Sequence, residues 1–275
     1  MNGSAQFKIS PVGIRGGGLT RPVPQALDSA LNRLQYRILK RISPGEPGYM
    51  SGEVYKGKTK IKVLLGDHVF DQLRGKVVID FGCGERDDAI ALAKNCARRV
   101  IGMDIREAVL ERARAKARQE GVENVCQFCA NTDERVDAVV SIDSFEHFSD
   151  PSAALMKMYE LLRPGGTVFA SFGPTWYHPL GGHLFSVFPW AHLIFSEKAL
   201  IRWRSDLRSD GATRFSEVAG GLNQMTIARF EKLVKQSPLV IDFLEAVPIR
   251  RLRLFHTRHT REFTTSVVRC KLNKQ

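Results

Sequence analysis

The sequence has 275 residues, of which 43% are hydrophobic and 25% are charged, an ordinary composition for a folded globular protein. This length allows one sizeable core with accessory elements. No stretch has the roughly twenty nearly unbroken apolar residues of a membrane-spanning helix, and the amino-terminal residues lack the apolar segment of a signal peptide. We therefore expect a cytoplasmic protein.

The formal net charge is +12, from 41 Lys and Arg residues against 29 Asp and Glu residues. The basic excess lies wholly in residues 1–75 and 200–275, whereas residues 76–199 are net acidic. Such an asymmetry can attract an acidic substrate, a nucleic acid or an anionic membrane surface, or it can be a solvated surface without a partner. Charge alone does not choose among these.

The amino-terminal part predicts a flexible tail at 1–22, followed by a helical cap at 23–74. From Pro24 to Ile42 apolar residues recur at steps of three and four, which indicates an amphipathic helix with Arg33, Arg37 and Lys40 on its other positions. The apolar stripe consists of Leu27, Leu31, Leu34, Ile38 and Ile42. A second helix is predicted from Thr59 to Leu73.

Residues 75–172 alternate short apolar strands with helices, the pattern of a parallel sheet covered on both faces. The predicted strands are Val77–Ile79, Val100–Met103, Val125–Cys129, Ala138–Ile142 and Thr167–Phe172. The regularity fails over 173–225, which we interpret as an insertion after strand five that acts as a substrate lid. Residues 226–275 complete the sheet, with a helix at Thr226–Gln236 and late strands at Leu239–Ala246 and Phe263–Cys270. The predicted fold is therefore α/β, with a seven-stranded, doubly wound, mostly parallel sheet.

Five cysteines are an odd number without a disulfide spacing, which fits a reducing compartment. Cys126 and Cys129 form a C-x-x-C pair without a second pair or flanking histidines. They also lie in a predicted strand, where they would face opposite ways. We expect packing roles for them rather than a metal or redox site.

The turn at Asp80-Phe81-Gly82-Cys83-Gly84 directly follows the first apolar strand. Its glycines let the main chain turn sharply and approach a ligand closely, and Asp80 can pair with a cation. Asp104 ends the second strand, where a carboxylate can accept hydrogen bonds from both hydroxyls of a ribose. In parallel sheets ligands bind beyond these carboxyl ends.

A dinucleotide cofactor is the first alternative for this turn. It requires a third glycine at position 87, where this sequence has Asp87, an anion that would repel a pyrophosphate. S-adenosylmethionine has no phosphate and carries a positive sulfonium, so the acidic turn favours the methyl donor.

Four motifs in order resemble those of class I, Rossmann-like methyltransferases that use S-adenosylmethionine. They are Val77–Gly84, Val100–Asp104, Asp137–His147 and Leu161–Thr167, and the third is similar to the ubiquinone- and menaquinone-biosynthesis type. The resemblance implies a cofactor site formed by Asp80, Gly82, Gly84, Asp104, Ile105, Asn131 and Asp143. There are two departures: Arg86 stands where the family often has a third glycine, and Asn131 or Asp133 replaces the usual acidic residue after strand three.

Methyl transfer requires an aligned acceptor atom and, for a hydroxyl acceptor, removal of its proton. His147 follows strand four, where the family places residues that face the acceptor, and imidazole suits a base near neutral pH. We predict a catalytic role for His147, with a structural hydrogen-bonding role as the alternative. Glu146 is the second catalytic candidate, or else it binds substrate or caps the next helix.

The insertion is rich in aromatic and histidine side chains among glycine and proline, a composition that suits a lid or substrate pocket. The alternative is an aromatic cluster that packs against the sheet. The candidate substrate residues are Trp176, Tyr177, His178, His183 and His192. The histidines lack the helical i, i+4 spacing of a metal site, and we expect no metal.

The predicted function is S-adenosylmethionine-dependent methylation of a small-molecule acceptor that is lipophilic or anionic, with oxygen favoured as the methylated atom. Contact with a membrane surface fits the apolar insertion and the basic flanks, and no DNA partner is expected. The alternatives are an RNA or protein methyltransferase, and a partner subunit that binds the cofactor without catalysis.

Overall fold

The computed structural model describes residues 30–44, 59–84, 87–208, 210–218 and 221–275. Seven strands form one sheet in the order β3-β2-β1-β4-β5-β7-β6. Their bounds are β1 Val77–Phe81, β2 Arg99–Met103, β3 Cys126–Cys129, β4 Val136–Ile142, β5 Leu162–Phe172, β6 Leu239–Pro248 and β7 Thr265–Lys274. This architecture confirms the predicted α/β class with a seven-stranded sheet.

Strands β1 to β5 pair in parallel, whereas β7 runs antiparallel to both β5 and β6. Strand β6 therefore runs in the same direction as β1 to β5. All six of these strands end at one edge of the sheet, which we call the carboxyl edge. Only β7 begins there.

Ten α-helices lie in the described part of the chain. They are α1 Ala30–Ile42, α2 Lys60–Leu65, α3 His68–Leu73, α4 Asp88–Asn95, α5 Glu107–Gln119, α6 Pro151–Leu161, α7 Ala191–Ile194, α8 Glu197–Ser205, α9 Ile227–Lys235 and α10 Arg261–Thr264. Helices α2 to α5 pack on one face of the sheet and α6 and α9 on the other. The doubly wound arrangement is thus confirmed, and none of the described helices combines the length and apolar character needed to cross a bilayer.

Helix α1 lies within the predicted helix, and its apolar stripe does not face the core. Leu31, Leu34, Ile38 and Ile42 are all exposed. The buried positions are Asn32 and Leu39 instead. The reason is a long-range polar contact, because the Ser196 hydroxyl donates to the side-chain oxygen of Asn32 at 2.8 Å. Leu27 lies outside the described residues.

The second predicted helix is interrupted, so that α2 and α3 are separate. Gly66 lies between them with φ +87°, a conformation that glycine adopts without strain. The Asp88 carboxylate accepts a hydrogen bond from the Ile61 N–H in the first turn of α2, at 3.3 Å. This bond satisfies one of the free donors at a helix start and joins the start of α2 to the start of α4.

The insertion contains helix α8, which the sequence patterns did not reveal. A third apolar cluster holds it, and α1 packs against it. Trp203 is 1% exposed at the centre of this cluster. The last strand was also misplaced: residues 261–264 form α10, and β7 begins at Thr265.

Candidate functional site

The turn after β1 is a tight structure that places main-chain N–H groups at the carboxyl edge. Gly82 and Gly84 have φ values of +78° and +58°, which favour glycine. A Cβ at Gly82 would lie 3.0 Å from the Ser144 hydroxyl oxygen. The Gly82 and Cys83 N–H groups both donate to the Met103 carbonyl at 2.9 Å. The turn after β1 is thus fixed to the end of β2.

Asp104 joins these two strand ends through its side chain. Its Oδ2 atom accepts a hydrogen bond from the Gly84 N–H at 3.1 Å. The Arg106 guanidinium lies on the same carboxylate, with Nε 3.0 Å from Oδ1 and Nη2 3.0 Å from Oδ2. The Arg106 N–H also donates to Oδ1 at 2.9 Å. The carboxylate is therefore held in place by its own turn.

Two other predicted cofactor residues flank Asp104. Asp80 is 2% exposed within β1, opposite Gly102 of β2, so this carboxylate is buried beneath the turn. Ile105 follows Asp104 and is 46% exposed. A large aliphatic side chain exposed beside a buried carboxylate can cover the flat face of a ligand.

The position after β3 is less defined. Asn131 is exposed. Asp133 is also exposed, and its Oδ1 lies 3.2 Å from the ammonium of Lys157. No hydrogen bond joins either side chain to the described residues of the turn after β1. The structure therefore leaves the expected cofactor role of Asn131 untested. Residues Glu85 and Arg86 lie outside the described residues.

Asp143 connects the amino-terminal helices to the site. It follows β4 with φ +44°, and its Oδ2 lies 2.6 Å from the Lys60 ammonium at the start of α2. Sequence reasoning missed Lys60 because the ion pair spans 83 residues of chain. A cation and an anion thus stand together at the carboxyl edge, both mostly buried.

The turn after β4 packs directly on the glycine turn. Ser144 and Phe148 are the side chains that a Cβ at Gly82 would meet. Asn223, from the end of the insertion, donates through Nδ2 to the carbonyls of Phe145 and Phe148 at 2.6 and 2.8 Å. Asn223 is a second residue that the sequence analysis missed. It fixes the turn that carries Glu146 and His147.

His147 is oriented by one main-chain contact. Its Nδ1 lies 2.8 Å from the Gly221 carbonyl oxygen. A carbonyl only accepts, so Nδ1 carries the proton, and Nε2 of the neutral ring holds the lone pair. The ring is half-buried. This tautomer is the one that a proton acceptor needs.

Glu146 faces the interior. It is 2% exposed, and its Oε1 accepts a hydrogen bond from the Gly173 N–H at 3.2 Å. Burial raises the pKa of Glu146 to about 7, with the His147 charge acting in the opposite direction. It does not cap the next helix, because Asp150 accepts the hydrogen bond from Ala153 at the start of α6. Glu146 instead connects the end of β4 to the end of β5.

The three predicted histidines of the insertion have different surroundings. The His183 ring lies 5.4 Å from the His147 ring, centroid to centroid, and burial lowers its pKa to about 4. His178 accepts from the Leu180 N–H at 2.9 Å, within its own turn. His192 is 4% exposed, and its Nε2 lies 2.6 Å from the Trp176 carbonyl. Of the three, only His183 contacts the turn after β4.

The two aromatic candidates, Trp176 and Tyr177, also have different surroundings. Trp176 packs against His192 and Phe215, at centroid distances of 4.6 and 5.6 Å, as the alternative of a packed aromatic cluster requires. Tyr177 is 36% exposed and packs on Phe263 at 5.1 Å. In the described part of the chain no group of three or more His, Cys, Asp or Glu side chains could hold a metal ion.

Comparison with known proteins adds an independent observation. Residues 79–170 match a family model described as "Methyltransferase domain". The chain is 34% identical over 131 residues to the ubiquinone biosynthesis O-methyltransferase of Aeromonas salmonicida, covering 44% of this chain and 54% of the relative. Against the protein of the same name from Stutzerimonas stutzeri, identity is 34% over 113 residues, covering 39% and 47%. The chain thus spans about half the length of these curated relatives.

Solved structures agree on the fold. The magnesium protoporphyrin IX methyltransferase of Synechocystis PCC 6803, solved with bound SAH, superposes with a TM-score of 0.52. The match covers 89% of this chain and 96% of that one, at 19% identity. At this identity the likeness shows the fold alone.

Proposed function

We propose that this chain, whose residues 79–170 match a family model of a methyltransferase domain, transfers a methyl group from S-adenosylmethionine to a small-molecule acceptor. The observation that carries the proposal is the Asp104 carboxylate, held against the Gly84 N–H at the carboxyl edge. A carboxylate in this place is suited to two neighbouring hydroxyls of a ribose. The matched family model covers the same strand ends.

The residues present fit the cofactor chemically. Asp80 and Asp104 place carboxylates at the ends of β1 and β2, which favours a ligand with a positive sulfonium over one with phosphates. The Lys60 ammonium beside Asp143 offers a cation for the carboxylate of the methionine part. Ile105 would cover the adenine. When bound, the cofactor supplies an electrophilic methyl group.

His147 is the residue we assign to the acceptor. Its Nδ1–H donates to the Gly221 carbonyl, so Nε2 can take the proton of an acceptor hydroxyl as the new bond forms. The turn that carries it packs on the Gly82 turn through Ser144 and Phe148, which keeps acceptor and cofactor adjacent. Glu146, fixed to the Gly173 N–H, is a positioning residue for this turn.

The acceptor is an oxygen nucleophile on a lipophilic small molecule. Support comes from His147 as a proton acceptor, from the aromatic insertion beside it, and from curated relatives named for ubiquinone biosynthesis. We assign contact with the acceptor to Tyr177, which is exposed on the insertion, and to His183, whose ring packs on His147.

The test is a methyl-transfer screen with isotopically labelled S-adenosylmethionine against phenols and catechols of increasing alkyl-chain length. We expect labelled methyl ethers, with KM falling as the chain lengthens, and loss of turnover in His147→Ala. His68→Ala is the matched control, because His68 is an exposed histidine at the start of α3, away from the turn after β4. Cofactor binding without turnover on any acceptor would instead support a non-catalytic partner subunit, and labelled RNA or protein would support the other alternative.

A further inference from the structure

The connection from β6 to β7 exposes large apolar side chains. We call residues 249–264 the basic loop; it contains a 3-10 turn, Arg250–Phe255, and helix α10. Leu254 is 94% exposed and Phe255 is 66% exposed. Removing such side chains from water normally stabilises a protein. Two adjacent, nearly free side chains indicate a surface that meets an apolar partner.

Internal hydrogen bonds hold the basic loop in its shape. The Ile249 N–H donates to the Thr264 carbonyl at 2.8 Å, so the two ends of the loop are joined. His256 Nδ1 lies 2.8 Å from the Thr264 hydroxyl. The Thr260 hydroxyl donates to the Phe255 carbonyl. The main chain thus presents Leu254 and Phe255 on a defined turn.

The charges around these two side chains are almost all positive. Arg250, Arg251, Arg253 and Arg258 are exposed, and no ion pair joins them to another residue in the described ranges. The single acidic residue of the loop, Glu262, accepts hydrogen bonds from the Ile227 and Ala228 N–H groups at the start of α9. The four guanidinium groups are therefore available for an anionic partner.

The basic loop stands at the mouth of the proposed acceptor site. Strand β6 ends at the carboxyl edge, so the loop leaves the sheet where β4 and β5 also end. Phe263 packs on Tyr177 of the insertion, with 5.1 Å between ring centroids. A Cβ at Gly173 would lie 2.9 Å from the Ser266 carbonyl, so the segment just after the loop touches the residue that Glu146 binds.

We propose that the basic loop docks the protein on an anionic membrane surface. Leu254 and Phe255 enter the boundary between headgroups and acyl chains, and the four arginines bind lipid phosphates. The mouth of the site then faces the bilayer, from which a lipophilic acceptor enters. This last step rests on the proposed function, whereas the docking itself does not.

A membrane fits this surface better than RNA. Guanidinium groups suit either partner, but RNA binding adds flat aromatic side chains on which bases stack. The most exposed side chain here is the aliphatic Leu254, with Phe255 next to it. An aliphatic and aromatic pair within a ring of arginines matches the layered chemistry of a membrane interface.

The test is flotation of the full chain, without cofactor or acceptor, on two kinds of vesicle. One contains phosphatidylcholine alone and the other contains about one third phosphatidylglycerol. We expect binding to the anionic vesicles that weakens at high salt, since charges are screened over about 3 Å at 1 M. Arg250→Gln/Arg251→Gln/Arg253→Gln should weaken it about 100-fold, because each basic residue near an anionic surface contributes roughly fivefold.

Leu254→Ser/Phe255→Ser should weaken anionic-vesicle binding at least tenfold at low salt and remove most of what survives at high salt. Its matched control is Val240→Ser/Phe243→Ser, an exposed aliphatic and aromatic pair at the other end of β6. Arg98→Gln/Arg118→Gln/Arg208→Gln, which removes exposed arginines elsewhere, controls for net charge. Both controls should bind within twofold of the unaltered chain.

Three results would overturn the proposal: no binding to anionic vesicles, equal losses in loop and control variants, or loop-dependent binding of a single-stranded RNA in place of vesicles. The outcome is separable from the proposed function. Failure to float with intact methylation of a water-soluble acceptor would remove only the docking surface. Flotation without any binding of S-adenosylhomocysteine would remove only the methyl-transfer proposal.

Discussion

The ends of β1 and β2 and the ends of β4 and β5 lie along one edge of the same sheet, yet they are built in different ways. The first pair forms its site from one short turn and one carboxylate, Gly82–Gly84 and Asp104, that bond to each other. The second pair depends on distant segments, because Asn223 and Gly221 fix the turn that carries His147. The glycine turn and Asp104 are thus joined by local contacts, whereas the turn that carries His147 is fixed by residues far along the chain.

His147→Ala is the variant with the largest expected effect, because it should lower turnover and leave cofactor affinity unchanged. Loss of a general base lowers the rate by about 100- to 10,000-fold, and we expect this decrease in kcat. Affinity for S-adenosylhomocysteine, measured by calorimetry, should stay within twofold, because the Nδ1 contact of His147 is to Gly221 and not to the cofactor turn. If His147→Ala lost cofactor affinity in proportion to kcat, His147 would belong to the cofactor site as well as to the acceptor site.

The acceptor side should also show a pH-dependent stability that Glu146→Gln removes. Burial raises the pKa of Glu146 to about 7 from 4.5, so the folded state favours the protonated form. That contribution is full below about pH 4.5 and is lost as the pH rises through 7. In urea unfolding, the stability of the unaltered chain relative to the variant should therefore fall by up to about 3 kcal/mol between pH 4.5 and pH 8.

Glu111→Gln is the control for that measurement, because Glu111 is an exposed residue of α5. Its unfolding free energy should follow the unaltered chain across the same pH range. A Glu146→Gln curve that also ran parallel to the unaltered chain would show that this carboxyl is not buried as the structure has it.

On the cofactor side, Gly82→Ala should affect both stability and binding. At φ +78°, with its Cβ 3.0 Å from the Ser144 oxygen, alanine should cost about 1–3 kcal/mol and weaken S-adenosylhomocysteine binding at least tenfold. Gly121→Ala has a similar φ of +67° with open space around it. Gly121→Ala should lose a comparable amount of stability through backbone strain and should bind S-adenosylhomocysteine with full affinity. Equal affinity for S-adenosylhomocysteine in both variants would show that the Gly82 turn does not contact the cofactor.

The smallest effect concerns Arg106, whose guanidinium lies on the Asp104 carboxylate that the ribose would need. Because the Arg106 side chain is 57% exposed, this ion pair should contribute about 0.2–1 kcal/mol, as exposed pairs do. Arg106→Ala should therefore tighten calorimetric binding of S-adenosylhomocysteine by about two- to fivefold. A large loss of affinity would show that Arg106 contacts the cofactor instead of competing with it.

The same contrast explains what could be predicted from the sequence. The strand ends and the Asp80–Gly84 turn follow from apolar runs and glycines a few residues apart, and the structure confirms the sheet that they imply. The buried face of α1 could not be predicted, because the contact that holds it comes from Ser196, 164 residues away. Lys60 and Asn223 reach the site through contacts between residues that are 83 and 75–78 positions apart in the sequence. No local pattern encodes such contacts.

The break between α2 and α3 is an intermediate case. Gly66 was visible in the sequence, but a single glycine inside an apolar helical pattern is often tolerated. The Asp88 contact to the Ile61 N–H, which fixes the start of α2, was not visible. Likewise the sequence of α8 shows no long apolar stripe with a helical period. The apolar cluster around Trp203 holds this helix in place.

The most direct test of the central proposal is a calorimetric titration of S-adenosylhomocysteine into the unaltered chain and into Asp104→Ala, with the exposed Asp71→Ala as control. We expect micromolar binding to the unaltered chain and to the control. Binding to Asp104→Ala should be at least 30-fold weaker, since hydrogen bonds to a charged group contribute about 1.5–3 kcal/mol each. No binding to the unaltered chain, or equal binding to Asp104→Ala, would contradict a methyl-donor site at the ends of β1 and β2.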